Sequence, residues 1–244
     1  MIRRIAAIAG AVFLDAIKRR VVYAVLFFAA VLALGAPSLP SSGLGVDPHL
    51  YREVALALTF VAAIVLALAL SANRIPSEVE RRTVYNVVGK PVSRWEYLVG
   101  TWVGICVVMA AVIAAFTVVD QIVGLLRYGD PMWRLWEGSV AIWLETGVLT
   151  AFAVAVSAAA GGVVVTVATL TFAFIAHSRV PFLEVVHWFP GWLYPSLDTF
   201  NIIQPVAYGS GVVPSYFLAA ALVFAGWCAG FLVIGSAIFG RRDL

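Results

Sequence analysis

Residues 73–100, NRIPSEVERRTVYNVVGKPVSRWEYLVG, decide the fold because they form a long polar segment that lies directly between two apolar runs. The preceding run covers about 51–72 and is uncharged over its centre, and the following run covers about 94–119. A helix needs about 20 predominantly apolar residues to cross the hydrocarbon core of a bilayer. Both runs meet that length, so the sequence predicts two membrane spans joined by a polar loop.

Two helix-start signals divide this loop. Ser-Glu-Val-Glu at 77–80 has the Ser-x-x-Glu form of an N-terminal capping box, and Gly89 followed by Pro91 predicts where that helix ends. Residues 77–88 are therefore predicted to form a helix of about three turns, too short and too charged to span a membrane. A second capping pattern, Ser-Arg-Trp-Glu at 93–96, predicts the start of the next span after a sharp corner. These residues alone support two interpretations equally. One is a helix that receives force from a soluble partner and passes it to the neighbouring spans, and the other is a solvated loop whose charges only set the membrane topology.

The composition predicts an all-α integral membrane protein. Of the 244 residues, 63% are hydrophobic and 12% are charged, and the mean hydropathy is +1.00. Soluble domains carry about 25% charged residues. The net charge of +3 comes with basic residues near the span ends, which favours membrane orientation over nucleic-acid binding. Lys90 is followed by Pro91 and lacks the glycine spacing of a phosphate loop, so nucleotide chemistry is expected on another chain.

Hydropathy and turn residues predict six spans. Asp120 and Gln121 are interpreted as a helix end that closes the third span, and a loop at about 124–135 follows. Gly161 and Gly162 are interpreted as a tight turn between the fourth and fifth spans. The predicted spans are 21–34, 51–72, 94–119, 137–160, 163–177 and 214–239.

Two further segments are predicted to lie at the membrane interface. Residues 1–20 place Ile5, Ile8, Val12 and Ala16 at helical spacing, which predicts an amphipathic elbow helix. A cleaved signal peptide is disfavoured because charged residues and a second apolar run follow at once. Residues 178–213 combine aromatic residues with prolines, which predicts an external interfacial segment built from short helices.

The distribution of Lys and Arg predicts the orientation. With six spans, Arg52, Arg127, Arg134 and Arg179 fall on one side, and every other Lys and Arg falls on the side that holds both termini and the 73–100 segment. Because cytoplasmic loops carry the excess of Lys and Arg, both termini and that segment are predicted to be cytoplasmic.

Glu145 is the acidic residue that lies well inside a predicted span. A carboxylate at the bilayer centre costs about 2.5–3.5 kcal/mol or more, so such groups usually face a partner or a cavity. Two interpretations stay open. The residue is either a polar site on a transport path or at a dimer seam, or it lies close enough to the outer interface to reach water or to be protonated.

The other chemistry-bearing residues give weaker signals. His177 and His187 flank Glu184, but the spacing matches no tight ligand pattern, so ordinary interfacial histidines are favoured over a metal site and no metal site is predicted. Gly100 and Gly104 form a Gly-x-x-x-Gly, which indicates either close helix packing or chance in a glycine-rich chain. The sequence shows no paired catalytic carboxylates and no nucleophile with its base, so an enzyme is disfavoured.

Residues 75–104 resemble the loop after the second span of ABC-2 type transporter permeases. That family has a Glu-x-Glu-x-x-Thr segment followed by Pro-Val-Ser-Arg, matched here by Glu78, Glu80 and Thr83 and then by residues 91–94. The later motifs Phe-Asn at 200–201, Val-Ala-Tyr-Gly at 206–209 and Phe-Gly-Arg-Arg-Asp-Leu at 239–244 are also similar to the family. The nearest subgroup comprises permeases that serve copper-site maturation of nitrous oxide reductase.

The resemblance implies that residues 77–88 are a coupling helix that docks in a groove of a separate ABC ATPase subunit. Docking is then expected through Ser77, Glu78, Glu80, Arg81, Arg82, Thr83, Val84, Tyr85 and Val88, and the corner through Gly89, Pro91, Ser93 and Arg94. It also implies a homodimer with two ATPase subunits in a bacterial or archaeal inner membrane. ATP and Mg would bind to the ATPase, with no cofactor on this chain.

The resemblance implies transport, most often export. The alternative is an ATP-driven mechanical transmitter that acts on an external partner protein through residues 178–213 without moving a small solute.

Overall fold

The computed structural model describes residues 1–18, 27–28, 30–31, 35, 47–72, 74–76, 93–178 and 196–241. The predicted first span (21–34) therefore lies largely outside the described residues. The predicted coupling helix (77–88) and half of the predicted external segment (179–195) lie outside them as well.

Within those ranges the regular structure is helical. It comprises α1 (Ile2–Lys18), α2 (Asp47–Ser71), α3 (Arg94–Tyr128), α4 (Leu135–Ser157), α5 (Gly162–His177), a 3-10 turn (Leu197–Phe200), α6 (Ile203–Ala207) and α7 (Pro214–Gly240).

Four of these helices, namely α2, α3, α4 and α7, are long and apolar enough to cross a membrane. The chain is therefore a multi-pass membrane protein, as the composition predicted. The helix α5 has 16 residues, a length of about 24 Å at 1.5 Å per residue. That is shorter than the hydrocarbon core of about 30 Å, so α5 does not by itself match the length of a full span.

Side-chain contacts fix the relative directions of the helices. Tyr51, near the start of α2, contacts Asp120 in the second half of α3, and Arg94, at the start of α3, contacts Phe239 at the end of α7. Ser139, near the start of α4, contacts Thr117 in the second half of α3. One end of the bundle thus holds the start of α3 and the ends of α2, α4 and α7, and we call it the Arg94 end. The opposite end, where α3 finishes, is the Tyr128 end.

Helix α4 is the centre of the bundle. It contacts α2, α3, α5 and α7, and most of its residues are buried, whereas α7 exposes most of its apolar surface. Two indole N–H groups join α3 to α4, because Trp102 donates to the carbonyl of Gly147 (3.0 Å) and Trp143 donates to that of Cys106 (2.9 Å). The hydroxyls of Thr117 and Ser139 add a buried hydrogen bond of 2.6 Å.

The interpretation of Asp120 and Gln121 as a helix end is wrong. Helix α3 continues to Tyr128 and ends at Gly129, whose left-handed φ of 68° suits a residue without a Cβ. The predicted loop at 124–135 is therefore reduced to residues 129–134. The reason is that Asp120 is buried, 2% exposed, and its carboxylate accepts a hydrogen bond from the Tyr51 hydroxyl. A partner on α2 allows a polar residue inside the helix.

Candidate functional site

The N-terminal helix packs directly on α3 through the Gly-x-x-x-Gly pair. A Cβ atom at Gly100 would lie 2.8 Å from the Cβ of Ile8, and one at Gly104 would lie 2.6 Å from the Cβ of Val12 and 2.9 Å from the carbonyl oxygen of Ala9. The two glycines therefore permit a close helix crossing, and the chance interpretation is excluded. The partner is α1, whose predicted apolar face is buried at Val12 and Ala16.

Ion pairs hold both halves of α1. Arg4 lies 3.6 Å from Glu96 in the first turn of α3, and Asp15 lies 2.8 Å from Arg74, just beyond α2. Arg74 precedes the predicted coupling helix in sequence and Glu96 follows it. Arg4 and Asp15, which lie off the apolar face of α1, thus connect this helix to both flanks of the 77–92 segment.

The start of α3 follows the second capping pattern. Ser93 has an extended backbone (φ −74°, ψ 150°), and its N–H donates to the Glu96 carboxylate at 2.9 Å. This bond satisfies one of the backbone donors that the start of a helix leaves unpaired. The Glu half of the predicted capping box is therefore confirmed.

Arg94 joins the start of α3 to the end of α7. Its guanidinium donates to the carbonyl oxygens of Phe239 (2.7 Å) and Gly240 (3.2 Å) and lies 5.9 Å from the Phe239 ring centroid. Tyr97 stacks on the same ring at 6.1 Å. A cation at the last carbonyls of a helix satisfies unpaired acceptors and the helix dipole. Residues of two family-like motifs, 91–94 and 239–244, therefore meet in space.

The remaining predicted docking residues lie outside the described residues, and their role stays a prediction. They are Ser77, Glu78, Glu80, Arg81, Arg82, Thr83, Val84, Tyr85 and Val88, with Gly89 and Pro91 of the corner.

Glu145 lies near the middle of α4 and is 2% exposed. Its Oε1 is 2.9 Å from Nε2 of His177, the last residue of α5, and Nδ1 of that histidine is 2.9 Å from the carbonyl oxygen of Ala173. Sequence reasoning grouped His177 with Glu184 and missed this contact. A signal was present, since residues 145 and 177 are equally distant from Gly161, which lies in the α4–α5 turn.

The pair borders a cavity of about 50 Å³. Such a volume is enough for water where polar groups line it. The cavity is closed on one side by the chain from the 3-10 turn into α6, which packs on α4 and, through the 3-10 turn, on α5. Its other lining residues are Phe60, Gly138, Ile142, Phe200, Asn201, Ile202 and Ile203.

At the Tyr128 end, polar contacts fasten the 206–213 region to α2 and α4. Arg52 forms an ion pair with Asp130, and His49 Nδ1 lies 2.9 Å from the carbonyl oxygen of Ala207. The His49 ring stacks on Tyr208, and the Val212 N–H donates to the Glu137 carboxylate at 3.1 Å. Among the described residues there is no group of three or more His, Cys, Asp or Glu that could hold a metal ion.

Comparison with known proteins gives one family. The family model described as "ABC-2 family transporter protein" matches residues 6–244. No curated protein matches the chain.

Proposed function

Because this chain belongs to the ABC-2 family of transporter proteins, we propose that it is the membrane-spanning permease subunit of an ABC transporter, driven by a separate cytoplasmic ATPase subunit. The proposal includes six spans, with 21–34 and 163–177 as the first and fifth, and both termini in the cytoplasm. The family match over residues 6–244 and four helices long enough to cross a membrane support it.

The observation that carries the mechanism is the set of contacts on both sides of the predicted coupling helix. On the N-terminal side Arg74 pairs with α1, and on the C-terminal side Arg94 binds the end of α7. A displacement of residues 77–92 would therefore act on α1 and α7 as well as on α2 and α3. In this proposal ATP binding closes an ATPase pair, and these contacts distribute the motion through the bundle.

The docking chemistry follows from the residue types of the segment. Glu78, Glu80, Arg81 and Arg82 make charged contacts with the ATPase, and an apolar face that includes Val84 packs in its groove. ATP and Mg bind to the ATPase, so this chain needs no cofactor. The complex contains two copies of each subunit in a bacterial or archaeal inner membrane and works as an exporter. Lipid covers exposed apolar residues of α5 and α7 such as Phe174 and Leu222.

Co-purification tests this proposal. A tagged chain is isolated from its native membrane, and ATP hydrolysis is measured with and without it. We expect an ABC ATPase to co-purify and its hydrolysis to be stimulated by the permease. Reversing both charges, Glu80→Arg with Arg81→Glu, should remove stimulation while membrane insertion is retained. Arg127→Glu at the opposite end is the matched control and should leave stimulation unchanged. Absence of any ATPase partner would refute the proposal.

The alternative of a mechanical transmitter draws on the Tyr128 end. There the 206–213 region is fastened to α2 and α4, so motion of the bundle would reach an exposed surface that includes Tyr208, 61% exposed. Deleting residues 188–194 separates the two functions. Loss of an external partner with ATPase docking intact favours the transmitter, whereas unchanged partners favour the transporter.

A further inference from the structure

Glu145 and His177 form a buried contact between two titratable side chains, and the proposed permease mechanism makes no use of it. Glu145 is 2% exposed and lies within the bundle, where an unpaired carboxylate is strongly unfavourable. Within the described part of the chain, the polar side chain in contact with it is His177, at 2.9 Å. The net charge of this pair determines how much free energy the burial of Glu145 costs.

The Nε2–Oε1 distance and the burial of Glu145 together favour one proton on the pair. Nδ1 of His177 faces the carbonyl oxygen of Ala173, which can only accept, so Nδ1 carries a hydrogen. A neutral imidazole then presents a lone pair at Nε2, and an ionised Glu145 presents another at Oε1, only 2.9 Å away. The Nε2–Oε1 contact is close but lacks the alignment of a regular hydrogen bond. Two acceptors still repel at that distance, and a buried carboxylate is costly to leave unneutralised, so both effects favour one proton on the pair. The pair is electrically neutral whether that proton resides on nitrogen or on oxygen.

The surroundings favour retention of this proton. Among the described residues, the titratable neighbours are Asp198 on the 3-10 turn, whose charge acts on both members, and Tyr216 on α7, which lies close to Glu145. The cavity-lining residues of α2 and α6, Phe60 and Ile203, are apolar. The negative charge of Asp198 favours the protonated pair. The adjoining cavity of about 50 Å³ gives a released proton a place to enter water.

We propose that Glu145 and His177 form a proton-binding site inside the bundle, where one proton on the pair fastens the end of α5 to the middle of α4. When the proton leaves for water, no covalent bond other than its own N–H or O–H bond breaks. A carboxylate and an imidazole lone pair then face each other and separate. The cavity beside the 3-10 turn opens as a result. The proposal stands on this chain alone and does not depend on an ATPase partner.

Spectroscopy on the full chain in lipid nanodiscs tests the proton. The chain has three histidines, and His177→Gln assigns the His177 signal in ¹⁵N NMR. At pH 7 we expect either an imidazolium signal from His177 or the infrared band of a protonated carboxyl. Glu145→Gln should abolish whichever is present, because a glutamine amide donates to Nε2 without a shared proton. A neutral imidazole beside an ionised carboxylate in the wild type would overturn the proposal.

Thermal unfolding tests whether the contact between Glu145 and His177 fastens α5 to α4. Glu145→Ala and His177→Ala should each lower the midpoint, and the double variant should be no less stable than the worse single variant. Glu145→Gln keeps a polar group in contact with His177 and should stay closer to wild type than Glu145→Ala. Glu137→Gln, which changes a carboxylate on the same helix outside the pair, is the control and should not interact with His177→Ala. Additive effects of Glu145→Ala and His177→Ala on the unfolding midpoint would contradict the proposed fastening of α5 to α4.

Discussion

The two ends of the bundle are held by different kinds of contact. At the Arg94 end, α1 crosses α3 at two glycines, and charged residues on both sides of the predicted coupling helix bind α1 and α7. At the Tyr128 end, the polar contacts join α2 to the end of α3 and fasten the 206–213 region. In the proposed mechanism the Arg94 end receives displacement from the ATPase, and the Tyr128 end holds a surface in place. Variants at each end should therefore affect different measurements.

The largest effect is expected at the α1–α3 crossing. Gly104→Leu would place side-chain atoms where the Val12 Cβ and the Ala9 carbonyl already lie, within 2.6 and 2.9 Å of a new Cβ. Overpacking of this kind costs about 1–3 kcal/mol or more. The purified chain should show a lower unfolding midpoint and reduced ATPase stimulation. Gly226→Leu on α7, where a Cβ meets nothing within 4 Å, is the control and should leave both unchanged.

Tyr51→Phe tests the Tyr128 end. It removes the hydroxyl that donates to the buried Asp120 carboxylate at 3.1 Å. Leaving a buried polar group unsatisfied costs about 1–3 kcal/mol. The unfolding midpoint should fall, whereas ATPase stimulation per folded molecule should be unchanged. Tyr128→Phe is a matched control on the neighbouring ring, 5.6 Å from Tyr51, and should be milder. Loss of stimulation in Tyr51→Phe would argue against a division of roles between the ends.

Arg94→Gln should show the reverse pattern. It removes bonds to two carbonyl oxygens at the end of α7, one of them solvent-exposed, and we expect a stability loss of about 1 kcal/mol. ATPase stimulation should fall by more than the small loss of stability explains, because α7 is then no longer bound to the residue that follows the 77–92 segment. Arg94→Lys keeps the charge and should recover only part of the activity, since one ammonium replaces a planar fork.

The smallest effect is expected for the ion pair of Asp15 and Arg74. Its side chains are 35% and 15% exposed, so a double-mutant cycle with Asp15→Asn and Arg74→Gln should give a coupling of about 0.5–1 kcal/mol. Unfolding in low and high salt measures it, and the coupling should shrink in high salt. The Arg4–Glu96 contact, longer at 3.6 Å, should couple still less. A coupling energy of zero between Asp15 and Arg74 would show that this ion pair does not link α1 to the 77–92 segment.

Local patterns predicted the local structure well. The capping residues Ser93 and Glu96 start α3 where expected, and Val12 and Ala16 are buried as their spacing predicted. These signals act within one or two turns of a helix, so the sequence carries them directly. The family match agrees with the resemblance, which came from short motifs in order along the chain.

Contacts between distant residues were not predictable in the same way. Arg94 and Phe239 are 145 positions apart, and no local spacing indicates that they meet. Asp120 was interpreted as a helix end because its partner Tyr51 lies on another helix. Glu145 was correctly singled out as costly to bury, but its partner required the register of the α4–α5 hairpin. The coupling helix at 77–88 remains a prediction.

The central claim is that residues 77–88 contact an ATPase, and photo-crosslinking in native membranes tests it most directly. A photoreactive amino acid replaces Tyr85 in one variant and the exposed Tyr208, at the opposite end, in the other. We predict a crosslink from position 85 to an ABC ATPase subunit, identified by mass spectrometry, and no such product from position 208. An ATPase crosslink from position 208 alone, or none from position 85, would contradict the account.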